Sequence, residues 1–141
     1  MNGGEIRMQL TNEESHALER IMTKISERAK YSHSIDELLG QWSGFVIEVE
    51  QGYRLTIYDY ENDLDHRVTI EEILNQAPPS LKSKLEVLVH PWDKRFTEAT
   101  REARKMTESN RSEQIHETLR IPKKLVGELE MDLRNEGYVE R

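Results

Sequence analysis

Hydrophobic positions recur along most of this chain at spacings of three and four residues, which is the pattern of amphipathic helices. The first such stretch follows a capping box formed by Thr11 and Glu14, in which each residue satisfies the other's backbone N–H group. The second stretch follows a similar pair, Ser34 and Glu37, and keeps helical spacing up to Gly52. The pattern therefore predicts two long helices in the first third of the chain.

The segment from Trp42 to Arg67 combines the densest apolar pattern of the chain with its densest acidic charge. Between Glu48 and Asp65 six carboxylates accompany one basic residue, Arg54, so this window carries a charge of about −5. Five of the nine aromatic residues also lie in the segment. We therefore expect the fold to be organised around it.

Two structures compete for this segment. Apolar residues continue at helical spacing beyond Gly52, so a second, kinked helical piece could extend to Leu64. Residues 46–50 and 53–58 are instead rich in β-branched and aromatic residues, so a β-hairpin at about residues 45–60 is the alternative. The unbroken periodicity before Gly52 favours the helix.

The second half of the chain also has a helical pattern. Asp65 or Thr69 is expected to cap a short helix that ends before the proline pair at 78–79. Ser80 would cap a long helix, which Pro91 is expected to kink or divide because proline lacks a backbone donor. We assign residues 11–104 to one helical core domain.

The remaining segments flank that core. Residues 1–10 form a polar leader, and residues 105–119, which carry little apolar pattern, are predicted to be a loop or mobile linker. Residues 120–141 are predicted to form a C-terminal helix that begins near Pro122 and ends at Gly137. Gly127 would then lie inside the helix and cost about 1 kcal/mol relative to alanine.

These elements together predict an all-α protein, a compact bundle of five or six helices, with an α+β fold as the alternative. A chain of 141 residues can bury enough surface to fold as one domain. Its 33% of charged residues against 35% of hydrophobic residues indicates a small core and amphipathic helices. The helix at residues 120–141 would either dock on this core or serve as a detachable arm.

Charge and cysteine content exclude several functional classes. A formal charge of −7 argues against general nucleic-acid binding, which depends on clustered basic residues. With no cysteine in the chain, disulfides, thiolate metal sites and thiol catalysis are ruled out. Neither a signal peptide nor a membrane-spanning run is found, so a cytoplasmic protein without membrane contact is expected.

No cofactor, metal or catalytic motif is found in the sequence. If Asp59 opened a calcium loop of the EF-hand type, Leu64 would stand where glycine is needed and Ile70 where glutamate is needed. The five histidines show no zinc-type spacing, and there is no phosphate-binding or dinucleotide-binding glycine pattern. We therefore expect a non-catalytic protein with no cofactor.

The tyrosine-rich acidic run at residues 58–67 is the candidate binding site. Tyrosine gives contact area at low entropic cost, and neighbouring carboxylates would attract a basic protein. This hypothesis requires the side chains to share one exposed surface; in the alternative they satisfy one another inside the fold. The partner-binding candidates are Tyr58, Asp59, Tyr60, Glu61, Asp63 and Asp65, while Asn62 and Arg67 are assigned to a structural polar network.

The functional hypothesis is a small acidic protein that binds a protein partner, as an inhibitor of the immunity or antitoxin kind does. Its carboxylates would occupy the places where a basic toxin or nuclease holds phosphates, and opposite charge would speed the encounter. The alternative is a structural or regulatory helical adaptor that self-associates or joins a larger complex. Either a monomer or a homodimer is compatible with the sequence.

Overall fold

A computed structural model of the chain describes residues 9–29, 34–105 and 118–140. Within these ranges the predicted helical bundle is confirmed, and a short antiparallel hairpin is added to it. Most of the polar leader and residues 106–117 of the linker predicted at residues 105–119 lie outside the described residues, whereas residues 118 and 119, assigned to that linker, belong to a β-strand. The elements in chain order are α1 (Asn12–Ala29), α2 (Ile35–Gln51), α3 (Ile57–Gln76), α4 (Pro79–Ala99), β1 (Thr100–Arg104), β2 (Thr118–Pro122) and α5 (Gly127–Asn135).

Helix α2 is the centre of the core, as its unbroken apolar periodicity predicted. Trp42 and Phe45 lie on its buried face and contact Phe96 of α4, with ring centroids 5.1 and 5.9 Å away. Phe45 also packs against Tyr53 and Tyr60, at 5.5 and 5.4 Å. Most aromatic rings of the segment from Trp42 to Arg67 therefore build the core.

The chain turns between α2 and α3, and the alternative β-hairpin at residues 45–60 is wrong. Gly52 ends α2 with a positive φ of 113°, and its N–H donates to the carbonyl of Glu48. Thr56 then begins α3 through a capping box with Asp59. These two local signals stop one helix and start the next, so residues 53–56 are too few to form a paired strand.

Helix α3 is continuous over 20 residues, which corrects the prediction of a kinked extension followed by a separate short helix. Its buried positions explain the error. Ile57 and Tyr60 are buried on one side, whereas Ile70 and Ile73 are buried on a side roughly 120° further around the helix. The buried face therefore changes side along α3, and sequence periodicity shows two short stripes instead of one long one.

Helix α4 passes through Pro91 without dividing. It leads directly into β1, which pairs antiparallel with β2 in a register that places Thr100 opposite Pro122 and Glu102 opposite Arg120. Leu119 and Ile121 of β2 point into the core. The hairpin was not predicted, because two inward side chains are too few to show an alternating pattern.

Helix α5 begins at Gly127 and not near Pro122, which belongs to β2. Leu129 and Leu133 are fully buried, so α5 is part of the core and not a detachable arm. At its end the N–H of Gly137 donates to the carbonyl of Arg134, and the N–H of Tyr138 donates to that of Leu133. This pair of bonds is a Schellman motif, and the predicted C-terminal cap at Gly137 is confirmed.

Helix α1 is attached by ion pairs near its two ends. The Thr11–Glu14 capping box is confirmed, and the buried Glu14 carboxylate also accepts from Nζ of Lys84 at 2.6 Å. The hydrogen bond from Lys84 lowers the pKa of Glu14 to about 2, with further bonds from Thr11 and Ser80 acting in the same direction. Near the other end Arg28 pairs with Glu72 of α3.

Candidate functional site

The acidic residues of α3 do not share one surface. Successive residues of an α-helix are about 100° apart, so side chains two positions apart point in nearly opposite directions. Asp59 and Asp63 accordingly lie on the side of α3 that faces Tyr53, and Glu61 and Asp65 lie on the other side. The single acidic surface expected from the sequence is therefore split in two.

Asp59 and Asp63 have structural roles. Asp59 accepts from the N–H of Thr56 at 3.3 Å and from its hydroxyl at 2.8 Å, which completes the α3 cap. Asp63 accepts from the phenol of Tyr53 at 2.6 Å. Burial and this hydrogen bond raise the pKa of Tyr53, and the charges of Asp59 and Glu48 act in the same direction.

Tyr60 is a core residue, so its assignment to the partner-binding set is corrected. Its side chain is completely buried. The phenol donates to the backbone carbonyl of Arg120 at 2.6 Å, which ties α3 to β2. Burial raises the pKa of Tyr60, and the phenol stays protonated as a hydrogen-bond donor.

Arg67 takes part in a polar network, but with residues of other helices and not with Asn62, the residue that the sequence analysis grouped with it. Arg67 donates to Asp93 of α4 through Nε and one terminal nitrogen, both at 2.8 Å. The same carboxylate accepts from Nε1 of Trp42 at 3.0 Å. Asn62, assigned to this network from the sequence, is exposed instead and has no hydrogen-bond partner among the described residues.

One face of α3 points away from the core, and we call it the α3 outer face. Tyr58 and Val68 are 72% and 65% exposed on it. Asp65 lies between them and has no cationic partner within the described ranges. The α3 outer face consists of Tyr58, Glu61, Asn62, Asp65 and Val68.

His66 lies near Tyr60 and Asp63 in the sequence, but these three side chains do not hydrogen-bond to one another in the described structure. The phenol of Tyr60 and the carboxylate of Asp63 bond to other residues, and Nδ1 of His66 is buried without a partner in the described structure. No three His, Asp or Glu side chains converge as metal ligands in the ranges described above.

Comparison with known proteins gives no match: no family model, no curated protein and no solved structure is similar to this chain. None of the described helices combines the length and apolar character needed to cross a membrane. Any functional proposal therefore depends on the residues themselves.

Two exposed apolar residues, Val68 on the α3 outer face and Met131 on α5, were not singled out from the sequence. Neither residue belongs to the apolar stripes that the sequence analysis used, and sequence alone does not show how far an apolar side chain is exposed. Met131 of α5 is 64% exposed. The signal that identifies both is exposure in the folded chain, which is a tertiary property.

Proposed function

We propose that this chain is a non-catalytic protein that binds a basic protein partner through the α3 outer face, as an inhibitor of the immunity or antitoxin kind would. The observation that carries this proposal is the exposed pair Tyr58 and Val68 beside Asp65, whose carboxylate has no cationic partner among the residues that the structure describes. Exposed apolar side chains with a charged rim are typical of protein interfaces.

The apolar and the acidic residues of the α3 outer face would contribute to binding in different ways. Tyr58 and Val68 are ten residues apart, which is about 15 Å along a helix, so together they suit a partner surface of several residues. Burying their rings and methyl groups would supply affinity, with tyrosine the typical hot spot. Asp65 and Glu61 would supply electrostatic attraction and orientation.

Rigidity of the scaffold also supports this use of α3. The helix is held by its cap at Thr56, by the Tyr60 bond to β2 and by the Arg67 bonds to α4. Since these contacts are on the inner sides of α3, the outer face can be covered by a partner without breaking them. A preorganised surface loses less conformational entropy on binding.

The test is capture of a partner from the native host with the full chain as bait. We expect the wild-type chain to retain a basic protein, and the variants Tyr58→Ala and Asp65→Lys to bind it about tenfold more weakly, since loss of a hot spot costs more than 1 kcal/mol. Added salt should weaken the complex, because rim charges are screened. Asp59 and Asp63 are poor test positions, since changing them would damage the fold.

Val87→Ala is the matched control, since Val87 is also 72% exposed but belongs to α4 and not to the α3 outer face. Glu98→Lys, at another exposed position of α4, controls for the charge change in Asp65→Lys. The proposal fails if no basic protein is retained, or if one is retained equally by Tyr58→Ala and Asp65→Lys.

A second candidate, the self-associating adaptor, is favoured by two other exposed apolar residues. Leu55 and Met131 are 53% and 64% exposed at the junction of α3 with α5, where the N–H of Ile57 donates to Asp132 at 3.0 Å. The adaptor hypothesis expects Met131→Lys to dissociate an oligomer. Light scattering that finds only monomers over a wide range of protein concentration would reject it.

A further inference from the structure

A depression of about 310 Å³ lies between α1 and the turn from α3 to α4, and none of its lining residues belongs to the α3 outer face. Its volume is at the lower end of the range for small-molecule sites. The buried side chains of Ala17 and Ile21 form an apolar base. The remaining lining residues are Arg20 and Lys24 of α1, Gln76 at the end of α3 and Pro78 of the turn.

The charge of this lining differs from that of the whole chain. The protein has seven more acidic than basic residues, yet the depression is lined by two cations and no carboxylate. Because Arg20 and Lys24 are four residues apart, both project from the same side of α1 as Ala17 and Ile21. The site therefore combines two positive charges with an apolar base.

Within the described part of the chain the two cations also have no acidic partner. Along α1, Glu14 is paired with Lys84 and Arg28 is paired with Glu72. Arg20 and Lys24, which lie between these two pairs, have no carboxylate within 4.0 Å among the described residues. The partial negative charge at the carboxyl end of α3 attracts them, but it amounts to about half an elementary charge against two.

We propose that this depression binds a small organic anion with an apolar part. The guanidinium of Arg20 and the ammonium of Lys24 would hold the anionic group by charge-assisted hydrogen bonds. The apolar part would cover Ala17, Ile21 and the ring of Pro78. This site is separate from the α3 outer face and does not depend on the proposed function.

The test is a titration of the full ¹⁵N-labelled chain with octanoate, followed through its backbone amide signals. We expect saturable shifts confined to the amides of residues 17–24 and 76–77. The double variant Arg20→Gln/Lys24→Gln should bind octanoate about tenfold or more weakly, because both charge-assisted bonds are lost. Inorganic phosphate should bind more weakly than octanoate, since it cannot cover the apolar base.

The matched control is Lys94→Gln/Arg101→Gln, which removes two exposed cations from α4 and β1 and leaves the depression intact. It should bind octanoate as the wild type does. The inference is overturned if the shifts do not saturate, if both double variants bind equally, or if phosphate binds as tightly as octanoate. Far-UV circular dichroism of each variant checks that the fold is retained.

Discussion

Gly127→Ala is expected to destabilise this protein, although alanine is the better helix former. Gly127 begins α5 with a φ of 62°, a conformation that residues with a Cβ rarely adopt. A Cβ added there would lie 2.8 Å from the carbonyl oxygen of Arg54 and 2.9 Å from its Cα. Both are backbone atoms of the α2–α3 connection, so the clash cannot be relieved by rotating a side chain.

The expected loss can be assembled from these contacts. Holding alanine in the left-handed region costs roughly 1–2 kcal/mol. Moving α5 away from Arg54 would also break the hydrogen bond from the N–H of Glu128 to the Arg54 carbonyl, now 3.0 Å long, which is worth about 1 kcal/mol. Together these effects predict a loss of about 2–3 kcal/mol in the free energy of unfolding.

Equilibrium unfolding in urea, followed by far-UV circular dichroism, measures this loss. Gly44→Ala is the control, because Gly44 lies within α2 and a Cβ there would have no atom within 4 Å. That variant should be stabilised by about 0.5–1 kcal/mol, since alanine loses less backbone entropy on folding. The same chemical change is thus expected to have opposite signs at the two positions.

A Gly127→Ala variant as stable as the wild type, or more stable, would refute this reasoning. It would mean that α5 does not begin against Arg54, and that the helix continues toward Pro122 as the sequence alone predicted. A matching loss in Gly44→Ala would show instead that the open space beside α2 is occupied in the folded protein.

Three further predictions concern the polar contacts of the core. Glu14→Gln keeps the cap but loses the charge, so its free energy of unfolding should depend less on pH than that of the wild type. Because the pKa of Glu14 is lowered to about 2 in the folded chain, its contribution to stability is fully present above about pH 4.5 and is lost as pH falls toward about 2. Unfolding measured over a series of acidic pH values tests this. Asp93→Asn should lower the free energy of unfolding by about 2 kcal/mol, because it weakens charged bonds to Arg67; an unchanged urea midpoint would contradict this. Tyr60→Phe should cost about 1–2 kcal/mol, since the carbonyl of Arg120 loses its buried donor, and hydrogen exchange at β2 should rise with it.

Helix caps and apolar periodicity, which are local signals, predicted the helices wherever both indicated the same bounds. Thr11, Ser34 and Gly137 mark helix ends through bonds to residues three or four positions away, and each acts as a cap in the fold. The periodic apolar face of α2 likewise predicted which of its residues are buried. Such features depend on short stretches of chain, so their physical causes are present in the sequence.

Positions decided by distant contacts were predicted less well. The carboxylate that binds Arg67 belongs to Asp93 on another helix, and the partner of the Tyr60 phenol is a strand that the sequence does not indicate. The candidate site shows the same difference between local and distant effects. The sequence identified the acidic tyrosine-rich run, but it did not predict that the acidic side chains lie on two sides of α3. Gly127 was interpreted as a weak point inside a helix.

The sequence by itself determined an acidic, mainly helical chain centred on α2, because composition, capping and periodicity are local properties. Only the tertiary structure decided which side of α3 is covered and where α5 begins. Those outcomes depend on which surfaces meet, and a surface such as the backbone at Arg54 is separated from Gly127 by most of the second half of the chain. That contact makes glycine necessary at a position where the local pattern alone would favour alanine.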